Sequence, residues 1–222
     1  MRRAGDLTGV KAARRVLPSN AGMGNDSTRD IDIIGCDQAG TIPGLFFRRA
    51  AADPDKAAYS EFGKTGWADL TWTQMAGRVA RVRAALDGAG LGPGDRVAIM
   101  VRNGADWVAF DIAAMANGLI TVPLYLHDSP ENACAILAAS GARLCLVESA
   151  EAWKALAPHA GPCDALVHVW LRQGGEGTDP DGGRRISVLD DVVSGQEIGV
   201  GDIRCQPSDV ATIIYTSGTT GR

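Results

Sequence analysis

Histidine is nearly missing from this chain of 222 residues: His127, His159 and His168 are the only three, and no two stand at metal-ligand spacing. The five cysteines, Cys36, Cys134, Cys145, Cys163 and Cys205, are odd in number and include no Cys-x-x-Cys pair. That excludes a complete disulfide framework and a zinc cage, and leaves reduced thiols of a cytosolic protein. Positive charge is not in excess, since 22 Lys/Arg against 26 Asp/Glu give a formal net charge of -4. No global basic field therefore favours nucleic acid as a partner. An uninterrupted apolar run of membrane length is also lacking. The most apolar window, 107–126, contains Asp111, Asn117, Gly118 and Pro123. Burying Asp111 near a bilayer centre would cost about 2.5–3.5 kcal/mol, so a buried helix followed by a buried strand is the expected form.

What remains is an ordinary globular composition, 45% hydrophobic and 22% charged, with 28 glycines and 10 prolines in no regular period. Residues 1–30 carry six basic side chains against three acidic ones. No continuous apolar stretch follows those arginines, so the segment is not a secretory signal. Residues 1–38 are expected to be a disordered leader. A faint likeness to a transit peptide and a start at Met23 are the alternative readings.

From Thr41 the text becomes periodic. Ile42, Leu45, Phe46 and Ala50 predict a short helix closed at Asp53-Pro54. Ala57 to Phe62 and Trp67 to Thr71 read as a hairpin around Gly63-Lys64-Thr65-Gly66. Thr71-Trp72-Thr73-Gln74 has the form of a capping box. In the helix it opens, Met75, Val79, Val82 and Leu86 form one apolar stripe, with Arg78, Arg81 and Arg83 off it. Strand and helix then alternate: strand 96–101, a helix from an Asn103 cap to Ala116, strand 119–124, a helix from Ser129-Pro130, strand 143–148, a helix over 150–157 and strand 165–170. Gln173 to Arg185 reads as a glycine-rich surface loop, Val188 to Val193 as one helical turn, 194–208 as a connector, and Val210 to Tyr215 as a last apolar strand. Runs of Val, Ile and Leu without polar alternation belong to strands covered on both faces. The fold class is α/β: a doubly wound, mostly parallel sheet with helices on both faces.

The last strand leads into Thr216-Ser217-Gly218-Thr219-Thr220-Gly221. Gly218 and Gly221 permit close backbone approach, so successive N–H groups can converge on phosphate oxygens, and four hydroxyls add donors. Open α/β sheets take ligands beyond the carboxyl ends of their strands. The loop is neither a Walker A nor a dinucleotide fingerprint. A plain solvent-exposed Ser/Thr/Gly turn is the competing reading.

The run from Ile213 to Arg222 resembles the signature loop of the adenylate-forming superfamily: acyl-CoA synthetases, luciferases and peptide-synthetase adenylation domains. Upstream text agrees in order and spacing, at Thr41-Ile42-Pro43-Gly44-Leu45-Phe46, Gly94-Asp95-Arg96-Val97-Ala98-Ile99, Val122-Pro123-Leu124-Tyr125, Pro130-Glu131-Asn132 and Ser140-Gly141-Ala142-Arg143. The set is most similar to bacterial long-chain fatty acyl-CoA synthetases. The resemblance implies that residues 39–222 are the N-terminal portion of an AMP-binding domain, an incomplete large domain ending in its phosphate loop. It implies ATP, Mg²⁺ and coenzyme A as co-reactants and a fatty acid as substrate, in a cytoplasmic protein whose fatty substrates are compatible with peripheral attachment to a membrane. Carried over by position, Thr216, Ser217, Gly218, Thr219, Thr220 and Gly221 become phosphate contacts, and the Thr219 hydroxyl the magnesium ligand. None of Lys11, Lys56, Lys64 and Lys154 matches a catalytic position, so no catalytic residue is assigned within this chain. By itself it is expected to lack ligase activity and to dissolve poorly. The alternatives are an acyl-AMP ligase that loads a carrier protein, and a non-catalytic remnant.

Other polar residues read as structural. Asp106 and Asp111 diverge around one helix and are expected to serve as capping and surface charges. His127-Asp128 either caps the loop before Ser129 or orients a ligand. His168 is expected to be a satisfied sheet histidine. Trp67, Trp72, Trp107, Trp153 and Trp170 are read as packing, and Arg184-Arg185 as a solvated pair.

Overall fold

In the computed structural model, residues 33–63, 65–174, 183–196 and 202–216 are described. Contacts divide the chain after Ile33, and the architecture below is that of the second unit. It opens with two helices, α1 (Cys36–Ala39) and α2 (Ile42–Ala52), the latter capped by the Thr41 hydroxyl, which accepts from the Gly44 N–H at 3.1 Å. An antiparallel hairpin follows, β1 (Ala57–Gly63) and β2 (Gly66–Thr71). The expected capping box then starts α3 (Trp72–Gly88), with Thr71 and Gln74 satisfying each other's backbone N–H groups.

The remaining elements build one parallel sheet: β3 (Arg96–Met100), α4 (Ala105–Ala116), β4 (Ile120–Pro123), α5 (Pro130–Ser140), β5 (Leu144–Val147), α6 (Ala150–Leu156), β6 (His168–Leu171), β7 (Arg185–Val188) and α7 (Leu189–Val193). The strand order is β4-β3-β5-β6-β7, in which the winding reverses at β3. Period-two alternation of Cβ directions divides the buried strand residues between two cores. Val97, Ile99, Leu144, Leu146 and Trp170 join the cluster with Met75, Val79 and Phe110 of α3 and α4. Ala98, Met100, Cys145, Val147 and Leu171 join the cluster with Cys134, Leu137 and Trp153 of α5 and α6. Helices thus cover both faces.

Window 107–126 holds most of α4 and then β4, as its interruptions predict. Among the described residues no helix is long and apolar enough to cross a membrane. Several details differ from expectation. The N-cap of α4 is Gly104 rather than Asn103, with the Ala105 N–H satisfied at 2.7 Å by the Glu61 side chain of the hairpin. Arg185–Val188, read as loop and turn, pairs with β6 as β7. Trp67 is 66% exposed, because its cross-strand partner Phe62, against which its ring packs edge-on, is itself on the open face. Arg83 is buried despite lying off the apolar stripe. Arg184 is not merely solvated: its Nη2 donates to the Ala160 carbonyl at 2.6 Å and its guanidinium lies over the Trp153 ring.

The segment expected as a final strand, 210–215, touches the sheet through a single bridge, Thr121 to Thr212. The reason is in β4. The Ile120 and Leu124 N–H groups face β3, so residues 121 and 123 face outward, and Pro123 has no N–H to give. Past Thr121 that edge therefore has an acceptor but no donor to offer.

Candidate functional site

Thr121 is the hinge point of the site. Its N–H donates to the Ala211 carbonyl at 3.1 Å, and its carbonyl accepts from the Ile213 N–H at 2.9 Å and from the Thr212 hydroxyl at 3.0 Å. These bonds lay residues 211–213 along β4 and send the chain to Thr216, exposed beyond the sheet's carboxyl edge. Of the loop positions predicted to contact phosphate, Thr216 is described. Ser217, Gly218, Thr219, Thr220 and Gly221 lie outside the described residues.

Beneath this junction lies the partly buried Asp111 carboxyl, near the Thr121 side chain. It is not the surface charge its helix position suggested. Burial pushes its pKa above the ordinary carboxylate value, and the polar Thr121 side chain acts against that rise. The legible signal was a polar residue, Thr121, inside the apolar run Ile120-Thr121-Val122.

The segment feeding residue 210 is clamped as well. Arg83 Nε donates to Asn117 Oδ1 at 3.0 Å and its Nη2 to the Asp202 carbonyl at 2.8 Å, while the Arg204 N–H donates to the Ala116 carbonyl at 2.8 Å. One end of the 202–213 stretch is therefore fixed to α3 and α4, and the other to β4.

At the carboxyl ends of β3, β4 and the 210–215 segment lies a cavity of 430 Å³ whose walls include Val101, Arg102, Trp107, Tyr125, Ile214 and Tyr215. Beside it, past the ends of β5 and β6, runs a charge array. Glu148 accepts from Arg172 Nε at 3.1 Å and from the Arg102 N–H at 3.1 Å, while Asp106 takes Arg78 at 3.0 Å and Arg172 at 3.4 Å. The Arg172 hydrogen bond, ahead of the other causes, holds the Glu148 carboxyl below its ordinary value. Asp106 is thus an interhelical ion-pair centre.

The secondary candidates resolve as structure. Asp128 caps its loop, Oδ1 accepting from the Ser129 N–H at 3.0 Å and Oδ2 from Asn132 Nδ2 at 2.6 Å. His168 is buried with Nε2 at 3.1 Å from the Ala89 carbonyl, and burial holds its pKa down.

The model of the AMP-binding enzyme family matches residues 46–222. The long-chain-fatty-acid–CoA ligase FadD15 of Mycobacterium bovis is 30% identical over 181 residues, 82% of this chain and 30% of that protein. The long-chain-fatty-acid–AMP ligase FadD26 of Mycobacterium tuberculosis is 38% identical over 89 residues, 38% of this chain and 15% of that protein. Among solved structures, the anthranilate CoA ligase AuaEII, crystallised with anthranoyl-AMP, superposes with a TM-score of 0.71 at 22% identity, over 81% of this chain and 32% of that one. The chain spans less than a third of the length of each of these proteins.

Proposed function

The chain belongs to the family of AMP-binding enzymes, and from that premise we propose that its protein activates a fatty acid with ATP to an acyl-adenylate and transfers the acyl group to coenzyme A. A carboxylate is a poor acyl donor until its oxygen becomes part of a phosphate-bearing leaving group. Displacement at the α-phosphate releases pyrophosphate, and the thiol of coenzyme A then expels AMP.

The observation that carries this reading is the delivery of Thr216 to the carboxyl edge of the sheet through the Thr121 rung. Open α/β sheets bind ligands at that edge, and the text that follows is rich in hydroxyls and glycines. In this reading the backbone N–H groups of Ser217 to Gly221 and the hydroxyls of Thr216, Ser217, Thr219 and Thr220 hold the pyrophosphate portion of ATP, where fixed donors offset charge developing in the transfer. The donor set suits Mg²⁺, a hard cation that prefers oxygen ligands and keeps phosphates and water in its shell. The Thr219 hydroxyl would be its protein ligand, and the ion would neutralise phosphate charge. Among the described residues no group of three or more His, Cys, Asp or Glu could hold a metal.

The similarity to a fatty-acid–AMP ligase favours a second reading, in which the acceptor is the thiol of a carrier protein. Pyrophosphate–ATP exchange on the whole protein tests the first step. Exchange should require a fatty acid and fall by about a hundredfold or more in Thr219→Ala, the scale of losing a donor to transition-state charge. Exchange indifferent to fatty acid overturns the substrate. Acyl transfer to a phosphopantetheinylated carrier but not to coenzyme A selects the second reading. Residues 1–222 by themselves are expected to form no acyl-CoA.

A further inference from the structure

Cys134 on α5 and Cys163 in the turn before β6 are 3% and 2% exposed and share one core cluster. Cys163 Sγ lies 3.4 Å from the Cys134 carbonyl oxygen, and Cys134 Sγ lies 3.5 Å from that of Leu156. The Cys163 sulfur thus approaches residue 134 itself within that cluster. The third cysteine of this cluster, Cys145, makes no such bond to either. The surroundings are apolar, and exchanging two S–H groups for an S–S bond removes no strong polar partner.

We propose that Cys134 and Cys163 form an oxidisable dithiol that closes to an intrachain disulfide in the presence of a low-molecular-weight disulfide. The Cys163 thiolate attacks the oxidant's S–S bond, giving a mixed disulfide and one small thiol. Cys134 then attacks the Cys163 sulfur, forming the protein S–S bond and expelling the second small thiol. Two protein thiols are oxidised, one small disulfide is reduced, and both protons leave with the small thiols.

Entry is through the turn. Gly161, Pro162, Asp164 and Ala165 are exposed around Cys163, and the turn is closed by two backbone bonds, Cys163 N–H to Ala160 and Leu166 N–H to Cys163, each 3.0 Å. Opening this turn exposes Cys163 without disturbing the parallel sheet. Burial pushes the Cys134 thiol up to about 12, and the Cys163 thiol up as well. The closed form is therefore slow to react, and oxidation follows the rate of turn opening. The bridge joins residues 29 apart and encloses β5 and α6, a loop long enough for cross-linking to stabilise the fold.

The test is incubation of the chain with oxidised glutathione, quenching by alkylation in denaturant, and peptide mapping without reduction. The expected product is a Cys134–Cys163 peptide pair two hydrogens lighter than its reduced components, with a thermal midpoint a few degrees higher that dithiothreitol reverses. Cys36, which is exposed, reports that the oxidant was active by carrying a glutathione adduct. Recovery of Cys134 and Cys163 both alkylated while Cys36 carries glutathione overturns the proposal, as does a pairing of either with Cys145. The wild-type chain decides, and Cys145→Ser, expected to keep the bridge, is the confirming variant.

Discussion

Arg204 sets both terminal guanidinium nitrogens against both carboxylate oxygens of Asp87, each at 2.8 Å, across 117 residues of sequence. Asp87 also accepts from Asn117 Nδ2 at 3.2 Å, so the pair ties the 202–206 connector to α3 and to the end of α4 at once. The side chains are 45% and 39% exposed, and solvent screening leaves such a pair worth about 1 kcal/mol or less. Its consequence is local. Asp87→Ala should lower global stability by no more than that amount, yet raise amide exchange at Arg204 and Ile213 by several-fold relative to β3 and β5. The swap Asp87→Arg with Arg204→Asp should restore part of the protection, with the Asn117 Nδ2 bond still lost. Exchange that rises equally across the whole sheet would contradict a local clamp.

Arg83 is a different case because it is buried. Removing it strands Asn117 Oδ1, in a residue 1% exposed, and frees the exposed Asp202 carbonyl to solvent. Leaving a buried polar group unpaired costs about 1–3 kcal/mol, so Arg83→Ala is expected to cost about that much in chemical denaturation. A loss below that of Asp87→Ala would refute the network.

Asp111 and Glu148 should move stability with pH in opposite senses. The Asp111 pKa is raised in the fold, burial being the first cause. Its contribution is fully present below the unfolded value and is lost as pH rises through the folded value. Asp111→Asn should therefore melt higher than wild type at neutral pH, with the gap closing in acid. Glu148 is lowered, chiefly by Arg172, so its contribution is present above the unfolded value and lost as pH falls through the folded one. Glu148→Gln should melt lower at neutral pH, and that gap should also close in acid. Melting curves of the three proteins from pH 3 to pH 8 check both signs.

Gly141 ends α5 in the left-handed region, at φ +61, and a Cβ there would stand 2.7 Å from Arg96 Nη2. That guanidinium is anchored, its Nε donating to the Ser140 carbonyl at 2.7 Å and its Nη2 to that of Gly141 at 3.1 Å. Gly141→Ala should cost about 1–2 kcal/mol from the conformation alone. Gly88→Ala, where nothing stands within 4 Å of the added carbon, is the control and should be neutral or slightly stabilising.

Local rules made much of this fold legible. The hydroxyl caps at Thr71 and Ser129 were readable because a cap depends on residues three apart. The parallel sheet was readable because strands covered on both faces leave no polar alternation. The burial of Arg83 was not, since the stripe of α3 records which face meets apolar neighbours and says nothing of an Asn117 and an Asp202 carbonyl brought there by other elements. Nor was β7, four residues whose partner β6 lies beyond a glycine-rich stretch. In the candidate site, the hydroxyls and glycines that follow Tyr215 were in the text, while Asp111 and the clamp around Arg204 were not.

Sequence alone determined the alternation of strand and helix from β3 to β6, the hydroxyl-capped helix starts and the family signature, because each depends on neighbours within a turn or a short run of chain. The tertiary structure alone decided which polar side chains would be buried and paired, since their partners lie up to 119 residues away. It also decided that 210–215 meets the sheet at one rung. Pro123 is plain in the sequence, but only its place on the outward side of β4 turns a missing N–H into the end of a ladder.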